Sequence, residues 1–223
     1  IKRMGADAVK VLAWYRPDAE KNVLEAQQQY VQKIGDECAK HDILFLFELL
    51  VYPLSKDLYQ TKEYVEMQNK KTDHVLESVR EFSNKKYGVD VFKLESPVNV
   101  NNITDSDLNA FKEMGNIAGR PWVMLSAGAG KEEFKKVLKL AFKAGCSGFL
   151  AGRAIWLDAF MHYPNWDKIQ NQLESNAKDY LDEIGEMADK SALSWNNHVC
   201  YGKDGSNFPY DNQEFRQHYN EIE

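Results

Sequence analysis

The chain has 223 residues, of which 43% are hydrophobic and 28% are charged, and its net charge is −6. This balance is typical of a soluble globular protein, and the acidic excess disfavours a nucleic-acid partner, which is bound by clustered Lys and Arg. No apolar run is long enough to cross a bilayer and no N-terminal signal pattern is visible, so we expect a cytoplasmic protein with no membrane partner.

Five apolar runs typical of buried strands follow one another along the chain. They span Asp7–Tyr15, Ile43–Tyr52, Val89–Val98, Pro121–Gly128 and Gly148–Trp156. The segments between and after them are rich in residues that favour helices. The predicted helices cover Asn22–His41, Thr61–Lys85, Ser106–Ala118, Lys131–Ala144, Asp158–Met161 and Lys168–Met187. Apolar strands that alternate with helices predict an α/β fold with a parallel sheet covered by helices.

Glycines and one apolar stripe support these helices. Helix ends, or the loops after them, are predicted at Gly35, Gly88, Gly119 and Gly145. A stripe at helical spacing is formed by Phe134, Val137, Leu138, Ala141 and Phe142. Five βα units fit either an open doubly wound sheet or part of a (β/α)8 barrel, which needs eight units in about 250 residues. The pattern alone does not choose between the two.

Charged residues interrupt the first three runs. Because side chains alternate between the two faces of a strand, Lys10, Glu48 and Lys93 each point away from a wholly apolar face. The apolar faces suit packing against helices, so the three charges share the opposite face, which is the interior if the sheet is a barrel. Each charge is predicted to lie late in its strand, near the carboxyl-terminal end where α/β active sites are found.

Two interpretations of these charges are open from the residues alone. In the first, Glu48 bridges the two lysines in a structural ion pair. In the second, burial and a neighbouring ammonium favour a neutral lysine, which can attack a carbonyl and form a Schiff base. Glu48 would then move the protons that carbinolamine formation and carbon–carbon cleavage require. Three such residues on consecutive strands favour the second interpretation.

The last two runs end in loops of small residues. Ser126, Ala127 and Gly128 lie between a predicted strand and a helix, and Gly152 with Arg153 holds the same position one unit later. Small residues let backbone N–H groups approach a phosphate at the start of a helix, and Arg153 adds a charged fork. Tight turns are the alternative explanation for each glycine. The two loops together predict a phosphate site.

The sequence offers little support for other chemistries. No histidine lies at metal-ligand spacing from another His or Cys, so we expect no metal and no other cofactor. The three cysteines are far apart, which suits reduced thiols, and none has a base nearby in sequence. Arg16 follows the first run and could reach the same end of the sheet, but a solvated loop arginine is the favoured interpretation.

With these residues in hand, the chain resembles a known family. The fragments that carry the resemblance are "GADAVKVLAWY", "FLFELLVY", "DVFKLESPVN", "PWVMLSAG" and "GFLAGRAIW". They resemble, in order from Gly5 to about Trp195, the class I tagatose-1,6-bisphosphate aldolases, and are also similar to the related sulfofructose 1-phosphate aldolases. The lysine-bearing strand together with the two glycine-containing motifs makes the match specific.

The resemblance implies a (β/α)8 barrel and a Schiff-base mechanism. Lys93 matches the Schiff-base position, Glu48 the acid/base glutamate, and Lys10 an active-site lysine on an earlier strand. The segments that hold a substrate phosphate are matched by Ser126 and Gly128, with Gly152 and Arg153.

The implied reaction is the reversible cleavage of tagatose 1,6-bisphosphate to dihydroxyacetone phosphate and glyceraldehyde 3-phosphate, as in lactose or galactose catabolism. Sulfofructose 1-phosphate is the alternative substrate, and Arg16 is the visible candidate for telling the two apart. A sugar-phosphate-binding barrel without catalysis is the alternative from another class. An isomerase or epimerase would share the two loops but would not explain the paired lysines. The expected partner is a small sugar phosphate, and a homo-oligomer is left open.

The chain also departs from the family. The family barrel begins with three βα units that have no counterpart here, so the five strands match its fourth to eighth. Five strands cannot close such a barrel, and we therefore expect the chain to be part of a longer one. Residues 1–195 are assigned to the C-terminal part of a barrel domain, and residues 196–223 to a tail of unknown role.

Overall fold

A computed structural model describes residues 1–54 and 72–202 and contains one parallel sheet. Its strands are β1 (Ala8–Trp14), β2 (Leu44–Leu50), β3 (Val91–Leu94), β4 (Trp122–Leu125) and β5 (Phe149–Leu150). They lie side by side in chain order, and every neighbouring pair is parallel. A doubly wound sheet reverses its strand order at a switch point, whereas a barrel adds strands in one direction. The order therefore identifies the sheet as part of a (β/α) barrel.

Helices follow the strands in the predicted places except for α5, which begins at Arg153 and not at the predicted Asp158. Their bounds are α1 (Lys21–Lys40), α2 (Thr72–Phe82), α3 (Leu108–Ala118), α4 (Lys131–Lys143), α5 (Arg153–Phe160), α6 (Trp166–Gln172) and α7 (Lys178–Ser191). A π-helical turn, Leu173–Ala177, joins α6 to α7, so the predicted last helix is nearly continuous but longer. The first part of the predicted helix Thr61–Lys85 lies outside the described residues. None of the described helices is both long and apolar enough to span a membrane.

The fifth predicted run is only partly a strand. The run was predicted to extend over Gly148–Trp156, but β5 ends at Leu150 and α5 begins at Arg153. The Gly152 carbonyl accepts hydrogen bonds from the N–H groups of Ile155 and Trp156, which starts the helix inside the apolar run. A short apolar run does not distinguish a strand from a buried helix turn.

One face of the sheet forms the core with the helices. Six of the side chains that the sheet contributes are at most 1% exposed: Phe45, Phe47, Phe92, Leu94, Trp122 and Met124. The predicted stripe of α4 is buried against them, which confirms the helical spacing. Full burial of each such side chain contributes roughly 1.5–3 kcal/mol. The opposite face is more open, because Leu44 and Leu150 are 41% and 45% exposed.

The sequence predicts that Gly35 ends a helix or lies in the loop after it, and this prediction is wrong. It lies inside α1, where a Cβ atom would come within 2.0 Å of the Tyr87 carbonyl oxygen. The glycine is needed for the close approach of α1 to the chain before β3. Gly88, Gly119 and Gly145 follow helical segments with positive φ, as predicted.

The first residues of the predicted tail pack onto the sheet domain. Residues 195–202 form two short 3-10 turns, and His198 between them is 6% exposed. The pKa of His198 is lowered by burial and by the nearby charge of Arg120, which precedes β4. Residues 203–223 lie outside the described part of the chain, and a boundary at Trp195 stays a prediction.

Candidate active site

Three charged side chains from neighbouring strands meet on the open face of the sheet. Glu48 on β2 is paired in register with Lys93 on β3, and Glu48 Oε1 lies 3.0 Å from Lys93 Nζ. The other carboxylate oxygen, Oε2, lies 2.9 Å from Lys10 Nζ on β1. The Glu48 and Lys93 side chains are 7% and 16% exposed, whereas that of Lys10 is 50% exposed. The predicted proximity of the three charges is confirmed.

Lys10 lies earlier in its strand than predicted. It is the third residue of β1 and pairs with Leu46, whereas Leu12 is the residue opposite Glu48. The lysine therefore reaches Glu48 with its long side chain, across two residues of strand. Sequence alternation gives the face of a residue but not its height in a parallel sheet, which depends on register.

The shared carboxylate has a consequence for stability. A buried charge that loses its partner is strongly destabilising, but Glu48 has two partners. Removal of one lysine therefore leaves Glu48 paired with the other. The arrangement fits a structural ion pair. It also fits a Schiff-base site, because it keeps a carboxylate within hydrogen-bond distance of a lysine amine.

A cleft of about 380 Å³ connects this cluster to the loops after β4 and β5. Its lining consists of Lys10, Glu48, Leu50, Lys93, Leu125, Ser126, Ala127, Leu150, Gly152, Arg153 and Trp156. Seven of the eight predicted site residues are included, and the exception is Gly128. Three cations and one carboxylate line the cleft, so it is locally positive although the whole chain carries a charge of −6.

The loop after β4 has an unusual backbone. Ala127 has a φ of 46° and Gly128 a φ of 81°, and the Ser126 carbonyl accepts a hydrogen bond from the N–H of Ala129 at 2.8 Å. A left-handed alanine costs of order 1–3 kcal/mol and persists only where the surrounding structure imposes it. Gly128 completes this turn, so its contribution is to the path of the backbone. The next helix, α4, begins after Gly130.

The loop after β5 places a helix start at the cleft. Gly152 precedes α5, and Arg153 is its first residue. The first N–H groups of a helix have no acceptor within the helix, and they carry partial positive charge. Such a helix start beside an arginine can hold an anion. Arg153 and Ser126 belong to one cleft, as the two-loop prediction requires.

Two buried charges hold the chain that follows β2. The N–H of Val51 donates to Glu95 Oε1 at 2.7 Å, and Arg16 donates to the Tyr52 carbonyl at 2.9 Å. The prediction that Arg16 is a solvated loop residue is wrong: it is 2% exposed, and its Nε lies 2.7 Å from Asp18 Oδ1. Arg16 does not line the cleft. The Tyr52 carbonyl lies after another strand, so local sequence does not reveal this contact.

Sequence reasoning did not assign Trp156 and three leucines of the lining. Leu50, Leu125 and Leu150 occur at strand ends, where an apolar residue carries no distinctive signal. Trp156 was available as the last residue of the "GFLAGRAIW" motif, and helical spacing from Gly152 would have placed it above the same loop.

The described residues contain no cluster of potential metal ligands, and two of the three cysteines, Cys38 and Cys146, are buried. No group of three or more His, Cys, Asp or Glu within residues 1–54 and 72–202 could hold a metal ion. Burial raises the pKa of Cys146 to about 12, and burial also raises the pKa of Cys38. Thiols in such surroundings are poor nucleophiles, because the thiolate is the reactive form.

Comparison with known proteins gives one family and a set of relatives. Residues 1–158 match the model of the DeoC/LacD family of aldolases. Tagatose 1,6-diphosphate aldolase 1 of Enterococcus faecalis is 33% identical over 208 residues, which cover 87% of this chain and 63% of that protein. Tagatose 1,6-diphosphate aldolase of Listeria monocytogenes is 32% identical, over 87% of this chain and 61% of its own length. The chain thus spans a little over three-fifths of these relatives.

Solved structures agree on the architecture. A Schiff-base-forming fructose-1,6-bisphosphate aldolase superposes with a TM-score of 0.55 at 17% identity, over 84% of this chain and 60% of its own. An archaeal fructose-1,6-bisphosphate aldolase, with its catalytic lysine bound to a carbinolamine intermediate, gives a TM-score of 0.53 at 16% identity and the same coverage. At such identities the likeness supports the fold alone.

Proposed function

Because the chain belongs to the DeoC/LacD family of aldolases, we propose that it carries the Schiff-base site of a class I aldolase that cleaves tagatose 1,6-bisphosphate. The products are dihydroxyacetone phosphate and glyceraldehyde 3-phosphate. The observation that carries the proposal is the Glu48 carboxylate between two lysines, in a cleft that also contains the loops after β4 and β5. On the sequence grounds given above, the reaction takes place in the cytoplasm.

Lys93 is the nucleophile in this mechanism. It is the less exposed of the two lysines and lies directly opposite Glu48 in the sheet. Its amine attacks the ketone carbon, the resulting carbinolamine loses water, and the protonated imine then accepts the electron pair of the breaking carbon–carbon bond. The amine must be neutral to attack, and proton transfer from Lys93 to Glu48 across 3.0 Å supplies that form.

Glu48 is the proton shuttle. Its carboxylate takes the proton from the hydroxyl on the carbon that becomes the aldehyde, so that this carbon–carbon bond breaks toward the imine. The enamine that remains is then protonated, and water releases dihydroxyacetone phosphate from Lys93. Lys10, 2.9 Å from the other oxygen, keeps the carboxylate oriented toward the cleft.

The two loops hold a phosphate of the substrate. Ser126 and Ala127 supply one wall, and Gly152 with Arg153 supplies the other. A phosphate bound there fixes the distance between the reacting ketone and Lys93, which converts binding energy into orientation. The locally positive lining also attracts a ketose bisphosphate, which has two anionic phosphate groups, to an otherwise acidic protein.

A sugar-phosphate-binding barrel without catalysis is the second candidate. The observation that favours it is that both lysines are ion-paired with Glu48, as a purely structural cluster requires. In that protein Lys93→Met would keep phosphate affinity, and the unaltered chain would bind ketose bisphosphates without cleaving them.

The test is a cleavage assay with three substrates: tagatose 1,6-bisphosphate, fructose 1,6-bisphosphate and sulfofructose 1-phosphate. We expect the highest kcat/KM for tagatose 1,6-bisphosphate, no loss of rate in EDTA, and no cleavage by Lys93→Met. Binding without cleavage of any of the three would favour the second candidate. A preference for sulfofructose 1-phosphate would retain the mechanism and change the substrate.

A further inference from the structure

Trp156 lies at the phosphate end of the cleft, with no role assigned so far. It is in the first turn of α5, three residues after Arg153, and its side chain lines the cleft. The residue is 40% exposed, although tryptophan is among the largest apolar side chains. One side of the ring contacts Phe160 in a T-shaped pair with centroids 5.5 Å apart. That contact fixes the plane of the ring from the helix side.

The indole nitrogen is the edge of the ring that faces Gly152. A Cβ atom at Gly152 would lie 3.3 Å from Trp156 Nε1 and 3.9 Å from its Cε2. A contact of 3.3 Å is tighter than most real Cβ contacts. A side chain at Gly152 would therefore press on the indole N–H edge, and the glycine leaves that edge open toward the cleft.

This N–H has no acceptor in the part of the chain that the structure describes. Among the described residues, the Trp156 side chain takes part in no hydrogen bond, and its backbone N–H is bonded to the Gly152 carbonyl at the start of α5. An indole N–H can only donate a hydrogen bond, so it suits a group that accepts one, such as an anion. The same loop contributes the Arg153 guanidinium and the first N–H groups of α5, which are donors as well.

We propose that the indole N–H of Trp156 donates a hydrogen bond to the substrate phosphate and that Gly152 is glycine to keep this donor accessible. The inference rests on the proposed function, because it takes the loop after β5 as the phosphate site. It assigns to Trp156 a binding role, not a catalytic one. Phosphate affinity then depends on Trp156, whereas the chemistry at Lys93 does not.

The experiment measures binding separately from catalysis. Calorimetry with inorganic phosphate and with dihydroxyacetone phosphate is done on the full chain carrying Lys93→Met, which cannot form the covalent adduct. Trp156→Phe is added to this parent, because phenylalanine keeps an aromatic ring at this position and has no N–H donor. Trp166→Phe is the matched control, since Trp166 is 63% exposed and does not line the cleft.

We expect Trp156→Phe to raise both Kd values about tenfold, the size of a hydrogen bond to a charged group, and Trp166→Phe to leave them within about twofold. Equal affinity in the parent and Trp156→Phe overturns the inference, and so does a parent that binds neither ligand. Borohydride trapping on the chain with Lys93 intact reports the proposed function independently. Loss of trapping with a retained Trp156 effect would refute the aldolase and keep the phosphate donor.

Discussion

Polar groups at the amino-terminal end of the sheet and those in the cleft at its carboxyl-terminal end have different partners. At the amino-terminal end, Asp90 accepts the N–H of Phe45 at 2.8 Å, the Cys146 thiol donates to the Gly148 carbonyl at 3.1 Å, and His198 Nδ1 accepts the N–H of Cys200 at 3.2 Å. Each group is bonded to backbone. At the carboxyl-terminal end, Lys10 and Lys93 are bonded to another charged side chain that lines an open cleft.

Cavity size does not separate the two ends. A space of about 370 Å³ near the start of β1 is nearly as large as the cleft, and its lining is Ile1, Lys2, Arg3, Val9, Ile34, Glu37, Cys38, His41 and Ile43. What differs is the burial of the carboxylate in the lining, because the Glu37 side chain is 55% exposed and that of Glu48 is 7% exposed. We therefore expect substitutions at the carboxyl-terminal end to change activity and substitutions at the amino-terminal end to change stability.

Lys93→Met should have the largest effect. Cleavage should fall by at least about 10⁴-fold, because the nucleophile is lost. The free energy of unfolding should change by well under the roughly 3–5 kcal/mol of a broken buried pair, since Glu48 keeps Lys10 as its partner. Urea unfolding and the cleavage assay measure both, with Lys143→Met on the exposed end of α4 as the control. A large loss of stability with retained activity would mean that Lys93 is a structural residue and not the nucleophile.

Glu48→Gln should have the next largest effect. The amide keeps the shape of the side chain but cannot move protons, so kcat should fall roughly 10²–10⁴-fold. The measurement is kcat against pH for the wild type and the variant, with folding checked by circular dichroism. A variant within about threefold of the wild type would leave Glu48 as a counter-ion for two lysines.

Gly35→Ala tests the other end of the molecule. The new Cβ would meet the Tyr87 carbonyl at 2.0 Å, so we expect a loss of about 1–3 kcal/mol or more in the free energy of unfolding. Gly185→Ala in α7 is the matched control, because nothing lies within 4 Å of its Cβ position. That control should stabilise the chain by up to about 1 kcal/mol. Activity per folded molecule should not change in either variant.

The smallest expected effect is the pH dependence due to His198. Burial, and then the charge of Arg120, lower its pKa below the ordinary value of about 6.5. As pH falls below that value, the unfolded chain binds the proton first, so stability is full above it and decreases toward acid.

Urea unfolding at pH 7.5 and 5.5 should therefore reveal a smaller acid loss in His198→Asn than in the wild type. Asparagine keeps an acceptor for the N–H of Cys200 and cannot be protonated in this range. The other carboxylates and histidines are common to both proteins and cancel in the difference. Identical acid losses would mean that His198 does not titrate differently on folding.

The sequence was most informative where a local rule determines the outcome. Alternation along three strands placed Lys10, Glu48 and Lys93 on one face, because the two-residue period of a strand is independent of the rest of the fold. The glycine-rich loops were located for a similar reason, since only small residues suit a tight turn before a helix. Family resemblance then supplied the barrel, which periodicity alone left open.

Features that depend on distant residues were not predictable. The height of Lys10 relative to Glu48 is set by strand register, and buried Arg16 is bonded to the Tyr52 carbonyl in the chain after another strand. The role of Gly35 depends on a carbonyl 52 residues further along the chain. In each case the local sequence carries the residue type, whereas the tertiary contact decides what that residue does.

Borohydride trapping is the most direct test of whether Lys93 forms a Schiff base with the substrate. The full chain is incubated with dihydroxyacetone phosphate, the imine is reduced by hydride to a stable secondary amine, and the modified lysine is located by peptide mass spectrometry. We expect one adduct, on Lys93, that is absent from Lys93→Met and forms equally well in EDTA. An adduct on Lys10 instead, or none in a protein that binds the ligand, would contradict this expectation.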